Sequence, residues 1–87
     1  MPRISYFYGI GIWMYWDEGT HGRPHFHARY GEHLASVDFA GQIIVGSLPT
    51  QAHRLVREWA QLHGDELLAN WQRAVSEEPL APILPLP

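Results

Sequence analysis

Hydrophobic and polar positions divide the chain at Leu48-Pro49-Thr50. Before that point they run in short β-like stretches, and after it they follow a helical period. Residues 4–16 are crowded with Ile, Tyr, Phe and Trp around Gly9 and Gly11. That composition predicts one long β-strand, bent or bulged at the glycines. Asp17 to Pro24 (DEGTHGRP) reads as a loop, being rich in Gly and closed by Pro. Two runs, 25–30 and 33–39, flank Gly31-Glu32, and a two-residue Gly-X connection suits a type II′ hairpin. Ala40-Gly41 sets off a fourth run, 42–47, as a second hairpin partner. From Thr50 the apolar positions Ala52, Leu55, Val56, Trp59, Leu62, Leu67, Trp71 and Ala74 track one stripe. Thr50 serves as N-cap, and Gly64 either kinks one long helix or, with Asp65 as cap, separates two; the single helix is the preferred reading. Glu58, Asp65, Glu66 and Arg73 fall on its outer face. The predicted fold is α+β: a four-stranded antiparallel β-meander with one long, kinked or straight C-terminal helix packed on one face.

Residues 1–76 then form a single domain and 77–87 a Pro/Leu-rich tail. The tail ends in PLAPILPLP, which holds four of the seven prolines and can be neither helix nor central strand. Its Leu80, Ile83, Leu84 and Leu86 are too apolar for a free linker. It either packs back on the domain or docks on a partner in a polyproline-like conformation.

Strand parity sorts the middle of the chain. If Gly31-Glu32 closes a two-residue hairpin, Tyr30 faces His33, Ala28 faces Ala35 and Phe26 faces Val37, an apolar face for the helix. The other face pairs Arg29 with Leu34, His27 with Ser36 and His25 with Asp38. Directly opposed residues have Cβ atoms roughly 5 Å apart, which predicts a His25–Asp38 imidazole–carboxylate hydrogen bond. A one-residue slip would turn a strand over and destroy that pairing.

Composition narrows the classes. At 87 residues the chain supports one domain with one small core, and 46% hydrophobic content excludes a disordered protein. There is no cysteine, so disulfides and zinc-thiolate sites are excluded. No secretory leader is visible and the apolar runs fall far short of the roughly 18 residues that span a bilayer. A soluble cytoplasmic protein that does not engage membranes is expected. The net charge of −3 argues against a strongly basic nucleic-acid binder. All six basic residues are Arg, however, and Arg grips phosphates and carboxylates bidentately as Lys does not. Six histidines make the charge sensitive to mild acid.

Three readings of the histidine strand stay open. His25 and His27 could hold a divalent metal, with Asp38 or His21 as third ligand. Alternatively, His25 is a general acid or base oriented by Asp38, beside His27, while Arg29 and Arg23 hold a phosphate. Metal-free RNA cleavage needs only a proton acceptor, a proton donor and a cation. In the third, the histidines are satisfied polar residues on a solvated sheet face or line a protein interface. His53 and His63 read as boundary residues of the helix, and Trp59 and Trp71 as core anchors. Tyr6, Tyr8, Trp13, Tyr15 and Trp16 exceed what one sheet face can bury, so some are candidates for a binding surface. Gly9-X-Gly11 opens no helix and fails the dinucleotide context. No serine nucleophile elbow and no HExxH occur.

The opening MPRISYFYGIGIWMYW, the segment PHFHARYG, the step Gly46-Ser47-Leu48-Pro49 and the stretch REWAQLH…ELLANW resemble a small bacterial family, domain of unknown function 4160. Two departures stand out: Arg23-Pro24 where the family usually reads Pro-Pro, and a longer, glycine-richer loop before it. The resemblance implies motif positions at Pro24, His25, Phe26, His27, Ala28 and Tyr30. It also implies a small protein encoded beside a second small partner, in arrangements like toxin–antitoxin modules. The leading expectation is a toxin-like component acting on RNA through His25, His27, Arg29 and Asp38. The alternative is a non-enzymatic module that binds its cognate partner protein, with or without a metal, through the same face.

Overall fold

Tyr8 and Gly9 turn the aromatic lead-in back on itself. Both take left-handed conformations (φ 50° and 79°), the signature of a type I′ hairpin turn. A computed structural model describes residues 3–15 and 23–87. In it the stretch expected to be one long strand is a hairpin, β1 Arg3–Phe7 and β2 Ile10–Trp13, with Phe7 opposite Ile10. A bulge displaces one residue, whereas two successive left-handed residues reverse the chain.

The remaining strands are β3 His25–Tyr30, β4 His33–Asp38 and β5 Ile43–Gly46. The sheet is therefore a five-stranded antiparallel meander in the order β1-β2-β3-β4-β5, one strand more than expected. Gly31 at φ 59° begins the β3–β4 turn, a conformation that a type II′ turn asks of its first residue. The resulting register is the one parity predicts, from Tyr30 opposite His33 to His25 opposite Asp38. Gly46 closes β5 at φ 86°. A Cβ there would lie 2.2 Å from the Leu34 carbonyl oxygen, so only glycine allows β5 this close to β4.

The helical stripe is broken into α1 Thr50–Leu62 and α2 Gly64–Val75. His63 (φ −117°, ψ 28°) stands between them. Its N–H still donates to Trp59 O at 3.1 Å, and its carbonyl already accepts from Leu67 N at 2.9 Å. Asp65 and Glu66 fall in the first turn of α2, where negative charge meets the positive end of the helix dipole. Thr50 is not the N-cap: Pro49 holds that position, without a side-chain cap bond, and its carbonyl accepts from His53 N.

One sheet face carries Ile10, Ile12, Phe26, Ala28 and Val37 against Val56, Trp59, Leu67 and Ala74 of the helices. Trp59 is fully buried, its ring 5.4 Å from Phe7 and 5.5 Å from Phe26. Each large side chain buried in this way stabilises the fold by about 1.5–3 kcal/mol. Trp71 is buried, as expected, and His53 and His63 are half-buried.

The tail packs back on its own domain. Ile83 N donates to Ile4 O at 2.7 Å, which ties the tail alongside β1. The Trp59 indole donates to Leu84 O at 2.9 Å. The buried side chain of Asn70 exchanges two bonds with the Ala81 backbone at 2.8 and 2.9 Å, and Tyr8 Oη donates to Pro87 O. No helix among the described residues is long and apolar enough to cross a membrane.

Candidate functional site

With the helices on one side, the opposite face of the sheet is left open, and cross-strand pairing arranges its side chains in rows. Trp13 pairs with Arg3 and His27, His27 with Ser36, and Ser36 with Val45. These residues cross all five strands, a span of roughly 19 Å at about 4.8 Å per strand. The next row is Tyr6, Gly11, Arg29 and Leu34. A third, at the far end of the hairpin, is His25 with Asp38.

His27 sits at the centre. Its ring meets Tyr15 edge-on at 4.7 Å and His25 at 5.1 Å, and its Nδ1 lies 3.5 Å from Ser36 Oγ. Beside it an open hollow of about 420 Å³ is lined by Trp13, Tyr15, His27, Arg29, Leu34, Ser36 and Val45, among others. The half-buried His25 is not part of the lining; its ring lies against His27 on one side and 5.5 Å from Trp71 on the other. Arg29 is exposed, and among the described residues its side chain makes only a long contact, from Nε to Gly31 O at 3.3 Å. The sheet thus brings His25, His27 and Arg29 to one surface.

Asp38 belongs to the same row as His25 but is engaged elsewhere. It is 8% exposed. Its Oδ1 accepts from Ala40 N at 3.0 Å and Gln42 N at 2.9 Å, and its Oδ2 from Arg23 Nη2 at 2.8 Å. This is an Asx-type anchor for the β4–β5 turn. The expected bond from His25 to Asp38 is replaced: His25 Nδ1 lies 2.8 Å from the carbonyl oxygen of Arg23. A carbonyl only accepts, so Nδ1 carries the proton in this contact. Asp38 therefore reaches His25 indirectly, through Arg23, whose guanidinium it holds and whose carbonyl orients the ring.

Among the described residues, no three His, Asp or Glu side chains converge where they could hold a metal ion. His21, a candidate third ligand, lies outside the described residues. Of the lead-in aromatics expected to exceed one buried face, Tyr6 and Tyr8 are exposed, Trp13 and Tyr15 are half-buried and line the hollow, and Trp16 lies outside the described residues. Arg3 and Val45 were not legible as part of this face. The signal that would have found Arg3 is the Tyr8-Gly9 reversal, which folds β1 beside β2.

No curated protein and no solved structure matches the chain. The family model described as Domain of unknown function (DUF4160) matches residues 9–72, which contain β2 to β5 and most of the helical layer, and the chain belongs to that family.

Proposed function

We propose that this protein is the toxin-like member of a two-protein toxin–antitoxin-type module and that its open sheet face acts on RNA. The observation that carries the reading is a pair of imidazoles, 5.1 Å apart, one of which, His27, shares a hollow with Arg29 and Trp13. In such a site one imidazole takes the proton of a ribose 2′-hydroxyl as its oxygen attacks phosphorus. The other, as imidazolium, protonates the departing 5′-oxygen. The 2′-O–P bond forms, the P–O5′ bond breaks, and Arg29 offsets the charge that builds on the phosphorane. His25, His27 and Arg29 are the catalytic candidates. Asp38 is a positioning residue that acts through Arg23. Induced expression is expected to arrest growth, and a His25→Ala/His27→Ala variant with an unchanged melting curve is expected to lose the arrest. Arrest that persists in that folded variant rules out the catalytic reading.

A second reading has its own support. Leu34 and Val45, 61% and 65% exposed, flank the hollow and give this face an apolar margin of the kind that proteins dock on. As a non-enzymatic module the chain would bind its cognate small partner here. Leu34→Asp/Val45→Asp would then abolish co-purification of the neighbouring gene's product, while expression alone would leave growth unaffected.

A further inference from the structure

The open face carries a second hollow, of whose lining the proposed chemistry uses only Arg29 and Trp13. About 180 Å³ in volume, it is lined by Arg3, Tyr6, Gly9, Gly11, Trp13, Arg29 and Gly31. Among the described residues, its only charged lining residues are the two arginines. Neither is in a described ion pair: Arg3 lies over the Tyr6 ring at 4.8 Å, and Arg29 makes only its long contact to Gly31 O. Three of the other lining residues are glycines, which leave the floor of the hollow to backbone, and Tyr6 and Trp13 supply its remaining side chains. The indole Nε1 of Trp13 lies 3.1 Å from the point a Gly11 Cβ would occupy, which sets a third donor at the same place. Trp13 and Arg29 also line the larger hollow. The two hollows therefore share Trp13 and Arg29 as a common wall, to which the smaller adds Arg3 and Tyr6 and the larger adds Tyr15, His27, Leu34 and Val45.

We infer that the pair of hollows forms a subsite for one nucleotide unit of single-stranded RNA. The phosphate lies between Arg3 and Arg29, and the base lies in the aromatic hollow beside Trp13. This deepens the RNA reading above and rests on it for the identity of the polymer. Two guanidiniums and an indole N–H match the charge and acceptors of a phosphate. Trp and Tyr faces accept any base by stacking, which suits recognition of a single strand. The hollow is of the size that small-molecule sites have. Of the acidic residues, Glu58, Asp65, Glu66, Glu77 and Glu78 belong to the helical layer and the turn after it, and Asp38 is held by Arg23. Glu32, in the β3–β4 turn, is the acidic residue next in sequence to this hollow, and Asp17 and Glu18 lie outside the described residues.

The test uses the full chain and a 2′-O-methyl octaribonucleotide, which cannot be cleaved through its 2′-oxygen. Binding is followed by the Trp13 indole N–H signal in a nitrogen–proton correlation spectrum, assigned by its loss in Trp13→Phe. The octamer and adenosine 5′-monophosphate are expected to shift that signal. Inorganic phosphate should bind about tenfold more weakly than the monophosphate, since it lacks the stacked base. Arg3→Gln and Arg29→Gln, each at an exposed position and checked by thermal melt, should each weaken octamer binding about tenfold. Each should also reduce the salt slope by about 0.7. Octamer affinity unchanged in both arginine variants, or phosphate binding as tightly as the monophosphate, overturns the subsite. The two proposals fail separately. Growth arrest that depends on the histidines but not on Arg3 removes the subsite and leaves the toxin reading. Octamer binding as described, without any growth arrest, does the reverse.

Discussion

Replacing Asp38 with alanine removes the acceptor that closes the β4–β5 turn, and its cost follows from three hydrogen bonds. Bonds to a charged group contribute about 1.5–3 kcal/mol each. Ala40 and Gln42 are exposed, so their freed N–H groups regain water and the lower end applies, about 3 kcal/mol for the two. The Arg23 ion pair adds little, about 0.5 kcal/mol at most, because the Arg23 side chain is 62% exposed. A domain of this size has roughly 4–13 kcal/mol in total, and a loss of about 3 kcal/mol lowers the melting temperature by roughly 12–24 °C. Asp38→Asn retains a side-chain oxygen for both amides and is expected to cost only about 1 kcal/mol. Urea denaturation of the two variants supplies both numbers. Growth arrest by Asp38→Asn, with expression matched to the parent chain, supplies the second readout, and it is expected to weaken, because the neutral amide no longer pairs with the Arg23 guanidinium that Asp38 holds. Were Asp38→Asn fully active, Asp38 would be a turn anchor and not a positioning residue. An alanine variant within about 0.5 kcal/mol of the parent would refute the anchoring argument itself.

Asn70→Ala leaves the Ala81 backbone without its two side-chain partners and is expected to cost about 2 kcal/mol. Hydrogen exchange at Ile83 N–H should rise in parallel; unchanged exchange would mean that Asn70 does not hold the tail. Gly46→Ala combines a strained left-handed residue, about 1–3 kcal/mol, with a Cβ 2.2 Å from the Leu34 carbonyl oxygen. Equilibrium unfolding should show a loss of at least that size, and a neutral result would contradict the β4–β5 geometry.

Legibility in the sequence tracked how local each signal was. The β3–β4 register was readable because one two-residue turn, Gly31-Glu32, determines six cross-strand pairs. The β1–β2 hairpin was not, because Tyr8-Gly9 lacks the Asn-Gly or Asp-Gly character that marks such turns, and Gly9 and Gly11 together suggested a bulge. The helical stripe was legible through Trp59 and Trp71. Its interruption was legible at Gly64 as one of two alternatives, but the single helix was preferred because the apolar period carries across the break almost in phase, and the break falls at His63. Within the site, parity found the row containing His25 and Asp38. Register says which residues stand opposite, however, and not which donors compete for a carboxylate. Here the amides of Ala40 and Gln42, close in sequence, and Arg23 hold it.

The strap of tail along β1 has a consequence for the order of folding. Tyr8 and Pro87 are 79 positions apart, so this contact closes a very long loop. Loop-closure entropy must be met before such a contact gives any return. The local hairpins and the two helices therefore precede it, and the indole of Trp59, at the middle of the core, acquires its acceptor at Leu84 only in the final step. The last event in assembly thus completes the centre of the molecule and seals the outer edge of its first strand at the same time.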